Sequence, residues 1–499
     1  MFRLFVFAVL LILAVAEYKK PMKAFLFPVV FGLLTLMLAL RCGQGTDYFP
    51  YCQIYTSPDS TGQDYEIGYT FLNDVAKFLG IPYTVFIFLY ALLVMGLFYL
   101  IVTKACTNRY MGLFVAYALY WLQFFESSLR QVLAIMLVLL GFWLTSSKNK
   151  IGYLLLGTAL ACTIHTSAVI SILLLLPYWF EKWDKGKAFV KRHIGLTVLA
   201  TGGLCAALIF LTSSSLPWKL VSFLPEALNL KITSYLEETS YSILSLLSRL
   251  AFLAVIVALY LGSRSKLCRA EKICFNAYVL GFIIYCGFFR FDLIASRMNV
   301  YYKALEMILI PNLLTHFSLE ELRLPVFLRK FQNNPPRSET AARVCIFACT
   351  AALLSFMYLK TTKDVMNQSL YYNPGYLYPY YNVLNVEKLY SQRSSPNYAH
   401  KEYYAFLGKA NPRLIGNYDD LSDSYFSKIT VPKDWAQFKN SGKVTDISGM
   451  DPLTKEGSLV TLLRQEYSGT IYEYGQDIPE PSPTPEKEIP LRLRDLFQD

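Results

Sequence analysis

The chain has 499 residues, 54% of them hydrophobic, with a mean hydropathy of +0.35 and a net charge of +11. Apolar runs near the roughly 20 residues of a bilayer crossing recur along it, which excludes an ordinary soluble globule and points to a polytopic membrane protein. The positive charge is no nucleic-acid footprint either, because residues 361–499 carry 15 basic and 18 acidic groups and the excess lies in the apolar part, where it follows topology.

In chain order the apolar runs are Phe2 to Ala16, Ala24 to Leu40, Thr84 to Val102, Tyr110 to Phe124, Val132 to Leu144, Ile151 to Phe180, Ile194 to Leu211, Leu250 to Leu261, Ile273 to Phe289, Met298 to Thr315 and Val344 to Leu359. The first ends in AVA before Glu17, like a signal-peptide cleavage site. Cleavage there would leave Lys19, Lys20 and Lys23 on the wrong side for the charge rule, so a retained helix is expected. Alternate connectors are basic. Residues 18–23, 104–109, 146–150, 181–192, 263–272 and 316–343 hold 21 Lys or Arg, and the other set, the N-terminal Arg3 aside, holds 8. Cytoplasmic loops keep Lys and Arg, which assigns the basic set to the cytoplasm.

Both flanks of the run from Ile151 to Phe180 belong to the basic set, so it must go in and come back. Each arm is shorter than the roughly 30 Å hydrocarbon core, which predicts a hairpin of two short helices bent near His165. Counting it twice gives an all-α polytopic membrane protein of about twelve transmembrane or half-spanning helices, both termini non-cytoplasmic. Residues 1–360 form the membrane domain, including an outer loop at 41–83. Residues 361–499 turn polar and Tyr-rich and end in PEPSPTPEKEIP, an exported tail or small domain. The ten cysteines show no metal-ligand spacing. Cys42 and Cys52 share the outer loop, where a disulfide is allowed.

This topology places the odd polar residues on one side. Arg41 opens the outer loop, which also holds Asp47, Tyr48, Asp64 and Glu66. Arg130 and Gln131 head the run SSLRQVLAIMLVLLGF, His165 and Ser167 sit at the hairpin bend in CTIHTSA, and Arg249 heads a further run. Arg290 and Arg297 flank the short connector in FFRFDLIASRMNVYY, which also holds Tyr301. Each has a bland reading. Arginines at helix ends snorkel to headgroups, a lone His is commonly a satisfied buried group, and loop acids are commonly surface. Their coincidence on one leaflet favours a site. Arginine forks match phosphate oxygens bidentately, and a carboxylate or imidazole beside them can take the proton of an attacking sugar hydroxyl.

The segments LALRCGQGTDYFPYCQIY, YEIGYTFLNDV, LRQVLAIMLVLLGF, HTSAVISILLLLPYW and ASRMNVYYKALEMILIPNLL, in that order, resemble the EpsG family of exopolysaccharide polymerases, relatives of the Wzy-type polymerases. The resemblance covers roughly Met1 to Tyr381. It implies a GT-C-like bundle in a bacterial cytoplasmic membrane, its site facing the periplasm or exterior, that joins oligosaccharide repeat units carried on a polyprenyl diphosphate. Arg41, Tyr48, Arg130, Gln131, Ser167, Arg249, Arg290, Arg297 and Tyr301 are the expected substrate ligands, and Glu66, His165 and Asp47 the catalytic candidates. Glu66 is narrowly favoured as base, with His165 as phosphate or sugar ligand. Neither cofactor nor metal is expected; the partners are membrane lipid, a chain-length regulator and a flippase, without nucleic acid. Two other classes compete. In a metal-dependent polyprenyl-linked glycosyltransferase or ligase, Asp64 and Glu66 would hold a divalent cation. A transporter or flippase would carry midplane polar residues in two related halves, and the sequence displays neither.

Overall fold

The computed structural model describes residues 2–41, 51, 55, 65–212, 243–321 and 335–371. The 361–499 tail beyond residue 371, and Cys42 with Cys52, lie outside the described residues. The elements are all helical. They are α1 (Phe2–Lys19), α2 (Leu26–Ala39), α3 (Ile67–Phe78), α4 (Tyr83–Ala105), α5 (Arg109–Leu119), a π-helical turn (Trp121–Phe125), α6 (Leu129–Lys148), α7 (Gly152–Ile164), a 3-10 segment (Thr166–Leu174), α8 (Leu175–Lys182), α9 (Asp184–Arg192), α10 (Ile194–Thr212), α11 (Ile243–Leu261), α12 (Arg269–Phe288), α13 (Asp292–Lys303), α14 (Glu306–His316) and α15 (Pro335–Tyr371).

Among these, six helices are long and apolar enough to cross a membrane: α4, α6, α10, α11, α12 and the Thr340–Lys363 part of α15. The protein is a polytopic helical membrane protein. The expected figure of about twelve counts apolar runs rather than full crossings. The run from Tyr110 is divided between the 11 residues of α5 and a π-helical turn, and the run from Met298 is interrupted between α13 and α14. The Ile151–Phe180 run is a broken hairpin, its bend made by His165 in extended conformation, φ −153° and ψ 114°.

Polar contacts fix which helix ends lie together. α1 runs antiparallel to α5, with the Arg3 Nη2 to Glu126 Oε2 ion pair of 2.7 Å at one end. At the other, Asn108 Nδ2 donates to the Ala14 carbonyl at 3.2 Å and the Tyr110 amide donates to Glu17 at 2.9 Å. Asn108 also caps α5, its side chain accepting from the Met111 amide, as short polar side chains do at helix starts. The same basic end joins the Lys104–Arg109 connector to α14, where Asn312 accepts from the Thr107 amide at 2.8 Å and donates to the Ala105 carbonyl at 2.7 Å.

Close backbone approach seats the hairpin. A Cβ on Gly141 of α6 would lie 2.6 Å from the Tyr153 carbonyl, and one on Gly157 of α7 would lie 2.7 Å from that of Leu137. Small residues let membrane helices pack this tightly without a hydrophobic driving force. The contact leaves His165, at the far end of α7, close to the start of α6.

Arg3 and Glu126 are each 1% exposed, and Glu126 also accepts from Trp121 Nε1 at 2.8 Å. Truncating one member of a buried pair strands the other charge, which costs about 3–5 kcal/mol, whereas apolar replacement of both is commonly near neutral. Glu126→Ala is therefore expected to lower the thermal unfolding midpoint in detergent more than the Arg3→Met, Glu126→Leu double variant. A double variant as unstable as the single would contradict this.

Candidate functional site

Glu66 stands just before α3 in extended conformation, and its carboxylate reaches away from that helix. Its Oε2 pairs with Arg130 Nη1 at the head of α6. Its Oε1 accepts from the Thr166 amide and from Thr166 Oγ1, both at 2.8 Å, at the start of the 3-10 segment. One carboxylate thus joins the outer loop, α6 and the hairpin bend. Burial raises the Glu66 pKa, but the Thr166 hydrogen bonds and the Arg130 charge outweigh it and hold the carboxyl below its ordinary value. It stays ionised.

Arg130 is enclosed by rings. Its Nε donates to Tyr51 Oη at 2.8 Å, and its guanidinium carbon lies 4.6 Å from the Tyr65 ring centroid, 5.3 Å from Tyr51 and 5.7 Å from Tyr69. Each such contact is worth about 0.5–2 kcal/mol, more where desolvated. The three tyrosines hold a cation at the end of an apolar bundle and restrict its rotamers. A snorkelling arginine needs no such cage. Tyr51, Tyr65, Tyr69 and Thr166 went unmarked in the sequence, where the tyrosines have one signal, the recurrence of Tyr in YFPYCQIY and YEIGYTF, and Thr166 has none.

His165 and Ser167 bend back onto α13. His165 Nδ1 lies 2.7 Å from Ser167 Oγ, and Ser167 Oγ lies 3.0 Å from Tyr301 Oη. When Nδ1 carries the imidazole proton it donates to Ser167, and Nε2 keeps a lone pair; the opposite tautomer makes Nε2 a donor. Burial, then the charges of Arg130 and Arg297 against the opposing Glu66, pushes the His165 pKa down to about 4. The imidazole is neutral near neutral pH.

Arg297 joins this group from α13, its carbonyl accepting from Gln131 Nε2 at 3.2 Å. Arg41 is buried at the end of α2, its Nη1 donating to the Leu38 carbonyl at 2.9 Å. Arg41, Arg130 and Glu66 all lie within electrostatic reach of the Tyr90 hydroxyl, which donates to the Leu129 carbonyl at 3.2 Å. Seven of the residues marked in the sequence therefore gather in one place: Glu66, Arg130, Gln131, His165, Ser167, Arg297 and Tyr301. Arg290 stands in the turn between α12 and α13. Arg249 does not join them. It faces a separate cavity of ≈ 250 Å³, its guanidinium 4.0 Å from the Tyr285 ring centroid. Asp47, Tyr48 and Asp64 lie outside the described residues.

A native pKa below the unfolded one means that the unfolded chain binds the extra proton as pH falls from about 6.5 toward 4, so the stability His165 contributes is complete above about pH 6.5 and is lost across that window. The chain has 4 histidines, and imidazole-labelled NMR of wild type against His165→Gln identifies the signal of this one. Its shift is expected to stay flat from about pH 5.5 to 8, where an ordinary imidazole titrates. A midpoint near the ordinary value would contradict the arrangement.

Comparison with known proteins finds no matching curated protein and no matching solved structure. It does find a family. The EpsG family model matches residues 24–328, which takes in α2 through α14 and every residue of the Glu66, Arg130 and His165 group. With well over half of its length matched, the chain belongs to the EpsG family.

Proposed function

We propose that this protein polymerises oligosaccharide repeat units carried on a polyprenyl diphosphate, at the non-cytoplasmic face of a bacterial cytoplasmic membrane. Family membership supports a polysaccharide polymerase, and the charge alternation of the connectors supports the orientation. The observation that carries the reading is the caged Arg130 beside a neutral His165, with Arg297 in electrostatic reach, at the end of the bundle opposite the basic connectors. Two guanidiniums there suit a diphosphate whose isoprenoid chain remains in the bilayer.

In this mechanism a hydroxyl oxygen of the acceptor sugar attacks the anomeric carbon of the donor. The bond from that carbon to the diphosphate oxygen breaks, and the polyprenyl diphosphate leaves with the electron pair. Arg130 and Arg297 stabilise the charge that develops on it. The hydroxyl proton passes to His165 Nε2, with Ser167 and Tyr301 behind the imidazole to hold its tautomer. Glu66 was the favoured base on sequence grounds; both its carboxylate oxygens are already engaged, one by Arg130 and the other by Thr166, so we assign it the positioning of Arg130 and Thr166.

In vitro polymerisation of a purified lipid-linked repeat unit tests these roles. Arg130→Lys keeps the charge and loses the planar fork, so it is expected to cut turnover by at least about tenfold and to leave single repeat units unjoined. His165→Gln is expected to lower turnover about 10²–10⁴-fold with substrate binding retained, the range for loss of a general base. Normal turnover in His165→Gln would remove the histidine from the chemistry. Full-length polymer from Arg130→Lys would make the arginine a mere anchor.

A further inference from the structure

A polar cavity of ≈ 250 Å³ lies on the other side of α13 from His165, lined mainly by α11, α12, α13 and α15. Three cations line it: Arg249, Lys303 and Lys360. Among the described residues none of the three forms an ion pair with a carboxylate. The acid in the wall is Glu306, and its carboxylate is already engaged, Oε1 accepting from Tyr278 Oη at 2.8 Å and Oε2 from Tyr120 Oη at 2.7 Å. Three cations against this one carboxylate leave the wall net positive, in a setting where uncompensated charge is costly.

Two of the cations, Arg249 and Lys303, are also held in place. Asn299, in the amide orientation that satisfies both partners, accepts from Arg249 Nη1 at 2.7 Å and donates to the Gly281 carbonyl at 2.8 Å. The Tyr285 ring lies against the same guanidinium at 4.0 Å, and the Lys303 ammonium lies 5.4 Å from the Tyr120 ring centroid. Ser296 and Ser248, whose hydroxyl donates to the Ser245 carbonyl at 2.8 Å, also line it. The cavity shares its end of the bundle with Arg130, because α13 meets the head of α6 through Gln131 and Tyr358 of α15 donates to the Arg3 carbonyl beside the Glu126 pair at 3.3 Å.

We propose that this cavity is a distinct anion site that takes a phosphate-bearing group. Charge and size both point that way: Arg249 and Lys303, held in place, with Lys360 beside them fit a phosphate or diphosphate, and ≈ 250 Å³ falls short of the roughly 300 Å³ at which pockets for whole drug-sized ligands begin. A lipid headgroup and a soluble phosphate share this chemistry. The inference does not rest on the polymerase reading, since it concerns binding and not transfer.

Equilibrium dialysis of labelled inorganic pyrophosphate against the full chain in phosphatidylcholine nanodiscs tests it, for wild type, Arg130→Gln, Arg249→Gln and Lys360→Met. Arg130→Gln is expected to keep a saturable component, which Arg249→Gln and Lys360→Met each weaken by on the order of tenfold, the loss of one charge-assisted contact. Lys360→Met serves where Arg249→Gln fails to fold, because the ammonium makes no structural contact comparable to that of Arg249 with Asn299. Displacement of that component by phosphatidic acid in the nanodisc identifies a lipid headgroup as occupant, and its persistence identifies a soluble phosphate. Absence of the component in Arg130→Gln, or full retention in both Arg249→Gln and Lys360→Met, overturns the site.

Discussion

The ion pair between Glu66 and Arg130 is the constraint on which the site depends. Both side chains are largely withdrawn from water, 17% and 16% exposed, at the end of an apolar bundle. Charges in that setting must satisfy one another and every remaining hydrogen-bonding position, or the desolvation cost exceeds the attraction. Thr166 supplies two donors to the second carboxylate oxygen, and Tyr51 takes the arginine Nε. The requirement binds three segments remote in sequence, and the hairpin bend with His165 is located by it. A cation held this way is oriented before any ligand arrives, which is where electrostatic catalysis draws its advantage over mobile solvent dipoles.

The helical membrane architecture was legible because apolar runs of bilayer length are a direct consequence of the membrane as solvent. The breaks inside those runs were not, because hydropathy does not report where a helix stops. His165 ends one arm of its run, and the Trp121–Phe125 turn closes another, through backbone geometry and tertiary contacts that composition leaves unmarked. Candidate residues at the heads of apolar runs, such as Arg130 and Arg297, stood out by contrast with their surroundings. Tyr51, Tyr65 and Tyr69 did not, since tyrosine near a membrane surface reads equally as an interfacial belt. Lys303 and Glu306 were hidden inside a single apolar run. Arg249 was grouped with the other arginines because charge counting assigns a residue to a side of the membrane and carries no information about lateral position.

That lateral separation comes from α13. At 100° per residue, Arg297 and Tyr301 share one face, while Ser296, Asn299 and Lys303 share another roughly 150° around the helix. A single short helix therefore presents polar groups in two directions, toward His165 on one side and toward Arg249 on the other. Ala295 and Val300 are among the apolar residues it buries, and its contact with α12 is close. A Cβ on Gly281 of α12 would lie 2.2 Å from Tyr302 Cβ, and Tyr302 Oη donates to the Ile170 carbonyl at 2.6 Å. Glycine at 281 lets α13 sit against α12 with its backbone close, and the Tyr302 bond ties it to the 3-10 arm of the hairpin. Polar faces on both sides of a helix at membrane depth are tolerated only where each lines protein or a hydrated space rather than lipid. The helix thus acts as a shared wall, and any shift of it along its axis would move the polar side chains of both faces together.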